Sequence, residues 1–67
     1  MKVGELIRLL ERDGWQWIRT RGSHRQFKHP NKPGIVTVAG RPSLDIPRGT
    51  LKSIFKQAGL LKQREDQ

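Results

Sequence analysis

Between Val3 and Arg12 the apolar residues Val3, Leu6, Ile7 and Leu10 recur at offsets 0, 3, 4 and 7, a spacing that lines one side of a helix. Asp13-Gly14 ends that pattern, because glycine takes the left-handed conformation after a helix at little cost. Its start carries no obvious signal, since neither Val3 nor Gly4 offers a side-chain cap. Trp15–Thr20 is aromatic and β-branched, Arg21-Gly22-Ser23 reads as a turn, and His24–Lys28 follows as a second extended run, which together predict a hairpin. Pro30–Gly34 supplies another turn, and Ile35–Val38 has the strongest β composition in the chain. Beyond a loop at Gly40–Leu44, Asp45 or a near neighbour is expected to cap a second helix with Pro47 in its first turn. Leu51, Ile54, Phe55 and Ala58 repeat the 0, 3, 4, 7 spacing there, and Gly59 closes the segment.

The order helix, three strands, helix predicts an α+β fold. Two helical stripes are buried most economically on one face of a three-stranded antiparallel sheet, which leaves the other face open. That architecture resembles double-stranded-RNA-binding domains. One domain is expected over residues 1–61, with a polar C-terminal tail over 62–67 once Leu60 and Leu61 have docked. At 67 residues and 33% hydrophobic content the chain supports one thin core and argues against a large buried catalytic cavity. There is no cysteine, so neither disulfides nor a thiolate zinc site reinforce the fold. The N-terminus does not read as a signal peptide, and no apolar run approaches the roughly 20 residues that span a bilayer. A cytoplasmic protein with no membrane partner is therefore expected.

Charge adds a partner class. Fourteen Lys and Arg against 6 Asp and Glu give a net charge of +8, a field that favours polyanions. Nucleic acid or an acidic protein fits it. Within this basic chain, Gly22–Pro30 sets His24 among cations directly after a glycine turn. RNA cleavage that uses the substrate's own 2′-hydroxyl requires proton transfer and a cationic environment for the phosphorane, and it requires no metal or cofactor. His24 is the candidate for the proton transfer. A two-residue turn at Arg21-Gly22 would pair Thr20 with Ser23 and Arg19 with His24, with Gln26 and Lys28 on the same sheet face. Arg19, Arg21, Ser23, Arg25 and Lys28 are the candidate RNA contacts near the hairpin, although Ser23 on its own reads more readily as a turn residue. On the second helix Arg48, Lys52 and Lys56 recur every four residues, either as a solvated side or as a phosphate-binding stripe, with Arg48 and Lys52 taken as candidate RNA contacts. His29 lies five residues beyond His24 and so faces the opposite side of a regular strand, where it is expected to end the strand. Trp15 is expected in the core, and Trp17 fits either core packing or base stacking.

Gly14-Trp15, Gly22-Ser23-His24 with Phe27, Val36-Thr37-Val38, and Gly49-Thr50-Leu51 through Lys56-Gln57-Ala58-Gly59-Leu60 occur here in one order. In that order they resemble the HicA-type toxins, over nearly everything from Glu5 to Leu60. The resemblance implies a double-stranded-RNA-binding-like fold, a ribosome-independent interferase acting on mRNA, and a HicB-type antitoxin encoded beside it. The family's catalytic histidine maps onto His24. Arg25 stands where relatives often carry a second histidine, and Gly40-Arg41-Pro42 lacks one common in the loop after the third strand. The second proton-transfer group is accordingly open among Lys28, Arg25 and water. A non-catalytic RNA-binding module and a basic protein-interaction domain are the competing readings of the same charge.

Overall fold

The computed structural model describes residues 1–60; Leu61 and the expected tail over 62–67 lie outside them. Its elements are α1 (Val3–Asp13), β1 (Gln16–Arg21), β2 (His24–Lys28), β3 (Ile35–Ala39) and α2 (Arg48–Gln57). The strands form one antiparallel sheet in the order β1-β2-β3, so the α+β arrangement read from the periodicities is the arrangement present.

Each helix packs the stripe its spacing marked against the sheet, with Ile7 and Leu51 partly buried at its edge. Val3, Leu6 and Leu10 of α1, Ile54 and Phe55 of α2 and Ala58 at its C-terminal cap join Phe27, Val36 and Val38 of the sheet in one core. Phe27 pairs with Val36, and Val38 with Arg25, so these positions share the inner, helix-covered face by the two-residue alternation of a strand. Leu60 closes the core after α2, as expected. β1 begins one residue later than its composition suggested. Gly14 takes φ 108°, and N–H bonds from Gly14 to Glu11 O (3.1 Å) and from Trp15 to Leu10 O (2.9 Å) form a Schellman closure. That closure turns Trp15 into the core, where only 1% of it is exposed, before the strand starts.

The start of α1 is held from outside the helix. Val3 N–H donates to Leu44 O (2.9 Å) and Gly4 N–H to Pro42 O (3.0 Å), so the β3–α2 loop supplies the acceptors that no local side chain does. Glu5 also reaches back to accept from Lys2 N–H at 2.7 Å, half of a capping box. Asp45 is not the cap of α2. It forms a bridge and an exposed ion pair with Lys2 (3.2 Å), and Pro47 occupies the position before Arg48 with no side-chain cap. Among the described residues no helix is long and apolar enough to cross a membrane.

Candidate functional site

The β1–β2 turn decides what stands beside His24. Gly22 has φ 59° and no other residue of the turn has positive φ, so the two central residues are Gly22-Ser23, with glycine first as a type II′ turn requires. Arg21 is therefore the direct partner of His24, followed by Thr20 with Arg25 and Arg19 with Gln26. The pairing of Arg19 with His24 expected from a turn at Arg21-Gly22 is replaced by one shifted two positions, and Ser23 is a turn residue, not a partner of Thr20. A shift of two keeps every side chain on its expected face. Arg19, Arg21, His24 and Gln26 accordingly share the outer face, opposite the helices, with Lys28 at the far end of the same strand.

His24 is exposed at the end of β2, where its neighbour across β3 is Ala39. Among the described residues no hydrogen bond holds its ring. Arg19 is held: its Nε donates to Gln26 Oε1 at 2.9 Å, which fixes the guanidinium two pairs along from His24 on the same face. Lys28 is four residues away from His24, about 13 Å along an extended strand, and so stands farther from it than Arg21 and Arg19 do on that face.

Arg25 projects to the other face. There it is half-buried, donates from Nη1 to Gly40 O, and lies over the Trp17 ring at 5.7 Å. It thus ties the loop that follows β3 to the hairpin. It does not stand beside His24, which removes it from the candidates for a second proton-transfer group. Trp17, left between core and base stacking by its sequence, is 52% exposed on the inner face. Its ring packs against Phe27 and its Nε1 donates to Thr20 Oγ1 at 2.8 Å. A break in register between Trp17 and Arg19 leaves Ile18 as the bulged residue.

His29 ends the strand, as parity predicted, and is buried. Its Nδ1 accepts from Asn31 N–H (2.9 Å), so the proton sits on Nε2, which donates to Asp13 O (2.8 Å). Lys32 completes the same corner with bonds to the Asp13 carboxylate (2.6 Å) and Ala58 O (3.1 Å), joining the C-terminal ends of both helices to the β2–β3 loop.

Ser23 and His24 also stand at one end of a cleft between β3 and α2. Thr37, Thr50, Ser53 and Gln57 line it, and the sequence reading had singled out none of these four for a role. The polar spacing of Ser53 and Gln57, four residues apart beside the apolar stripe of α2, was their available signal. Arg48, Lys52 and Lys56 occupy the adjoining, exposed side of α2, next to the cleft and outside it.

A family model described as the HicA toxin of bacterial toxin-antitoxin systems matches residues 3–60. The chain belongs to the HicA toxin family. That match takes in the hairpin with His24, both walls of the cleft and the corner around His29. A search of curated proteins finds no match.

Proposed function

We propose that this HicA-family protein is the toxin of a toxin-antitoxin pair and acts in the cytoplasm as a ribosome-independent, metal-independent endoribonuclease on mRNA, with His24 as its catalytic histidine. The observation that carries the reading is the position of His24, exposed on the open sheet face, paired with Arg21 and standing at the mouth of a cleft. In the reaction the imidazole takes the proton of the substrate 2′-hydroxyl, whose oxygen attacks the adjacent phosphorus. The bond from phosphorus to the 5′-oxygen breaks, and that oxygen takes a proton, leaving a cyclic phosphate and a free 5′-hydroxyl. Arg21 and the Gln26-held Arg19 stabilise the charge that builds on the phosphorane. With Arg25 turned to the other face and Lys28 far along the strand, water supplies the leaving-group proton. Ser23, Arg48 and Lys52 bind neighbouring phosphates.

The antitoxin, of HicB type, inhibits by covering His24 and neutralising the cations around it. A complex in which His24 stays open to solvent would contradict this.

One observation favours a second reading, an RNA-binding module without chemistry: no described residue orients the His24 ring. The two readings separate on purified protein and His24→Ala, each incubated with single-stranded mRNA in EDTA. Loss of about 100-fold or more in cleavage rate on substitution is expected for a proton-transfer residue. Equal cleavage by both proteins would remove His24 from the mechanism, and RNA retention without cleavage by either would favour the binding module.

A further inference from the structure

The cleft between β3 and α2 has a volume of about 760 Å3, within the range of roughly 300–1,000 Å3 typical of sites for small organic groups. Its lining is at odds with the charge of the rest of the molecule. The chain carries 14 Lys and Arg, yet among the described residues none lines this cleft. A groove that tracks the phosphates of a nucleic-acid strand is cationic. Here the hydroxyls of Thr50 and Ser53 and the amide of Gln57 stand around the buried apolar residues Val38 and Ile54; Thr37, whose side chain lies on the outer face, lines the cleft by its backbone, and the one carboxylate of the lining, Asp45, is paired with Lys2. That is the environment for a flat, uncharged group with hydrogen-bonding edges.

The wall made by β3 adds backbone groups. Gln57 Nε2 donates to Ile35 O at 2.7 Å, which shows that this carbonyl points away from β2. By alternation along an antiparallel strand, the N–H and C=O of Thr37 and Ala39 point the same way, into the cleft. No described residue bonds them. A strand from a partner protein would use the same groups, but Gln57 already caps the edge at Ile35 and α2 runs beside it. Two residues of free edge are shorter than the strands that pair stably, which run from about three residues upward.

We infer that this cleft holds a nucleobase of the RNA, the one adjoining the phosphate at His24, and that Thr50, Ser53, Gln57 and the free edge of β3 select it. The inference rests on the reading of His24 as an RNA site. The cations of the hairpin and of the Arg48–Lys56 stripe lie outside the cleft, where they contact the backbone while the base turns inward. Stacking and edge bonding of an unpaired base follow the usual mode of single-strand recognition.

The test uses the full chain and RNA carrying 4-thiouridine at one position at a time, photocrosslinked to the His24→Ala protein so that bound RNA stays intact. One position is expected to crosslink to residues 37–39 or 50–57. The wild-type protein should cleave an RNA made abasic at that position about tenfold more slowly than the intact strand. Ser53→Leu, which fills the cleft from an exposed position on α2, and independently Thr50→Val should shrink that ratio to below about threefold. Crosslinks confined to the Trp17 face, or an unchanged ratio in both variants, would overturn the inference. So would a Ser53→Leu protein that loses only a protein partner, since the occupant would then be a peptide. Crosslinks in the cleft without cleavage by the wild-type protein would leave the cleft assignment standing and refute the nuclease. Absence of any RNA binding would refute both.

Discussion

His24 and His29 lie five residues apart on or just beyond one strand, and that odd spacing sends them to different faces and different work. The buried His29 ring bonds one acceptor and one donor in a part-buried corner, the Asp13 carbonyl and the Asn31 N–H. Its ring also stands edge-on to Trp15, with centroids 5.2 Å apart. Each such hydrogen bond contributes about 0.5–1.5 kcal/mol net, so the two together contribute about 1–3 kcal/mol. His29→Ala is therefore expected to lower unfolding free energy by at least that much in chemical denaturation, while cleavage per folded molecule is unchanged. A loss of cleavage matching that of His24→Ala, at full stability, would show that His29 takes part in the chemistry. Gly14 meets the same ring from the other side. A Cβ there would lie 2.8 Å from His29 Nε2, at a φ of 108° that side chains rarely adopt. Gly14→Ala combines a left-handed penalty of about 1–2 kcal/mol with displacement of His29, so its thermal midpoint should fall further than that of Gly22→Ala.

At the scale of elements, Gly22→Ala isolates the turn. Nothing lies within 4 Å of a Cβ at Gly22, so only its φ of 59° opposes the substitution. The expected cost is about 1–2 kcal/mol by denaturant titration, and a neutral outcome would mean that the turn relaxes to another form. The same turn explains what the sequence revealed and what it hid. Helix spans and buried stripes were legible because periodicity is local, and Val3, Leu6 and Leu10 report it without reference to anything distant. The hairpin register depended on one choice between Arg21-Gly22 and Gly22-Ser23. Gly-Ser with glycine first is itself a type II′ signal, so the correct partner of His24 was available in the residues. The face of Arg25 was equally available, since it neighbours His24 and must alternate with it. The caps were not legible. α1 takes its acceptors from Pro42 and Leu44, about forty residues on, and Asp45 is drawn off to Lys2, contacts that no local pattern encodes. The cleft was hidden for the same reason, because its walls come from segments that meet only when α2 has packed.

For the molecule as a whole, a net charge of +8 attracts any polyanion, so affinity alone does not distinguish chemistry from binding. Salt dependence and its response to substitution do. On single-stranded RNA the logarithm of affinity falls with the logarithm of salt by about 0.7 per phosphate neutralised. Three or four contacts, from Arg19 and Arg21 at the hairpin and Arg48 and Lys52 on α2, give a slope near −2 to −3. Raising salt from about 50 to 200 mM should then weaken binding by roughly 20- to 50-fold. The double substitution Arg48→Gln with Lys52→Gln removes two of these contacts, and fluorescence anisotropy should show the slope reduced by about 1.4. His24→Ala removes no fixed cation, so its binding slope should match that of the wild type even though its cleavage is lost. An unchanged slope in the double variant would show that the α2 stripe is merely solvated. A reduced slope in His24→Ala would instead make the histidine a charged phosphate ligand, which is incompatible with a neutral base that accepts the 2′-hydroxyl proton.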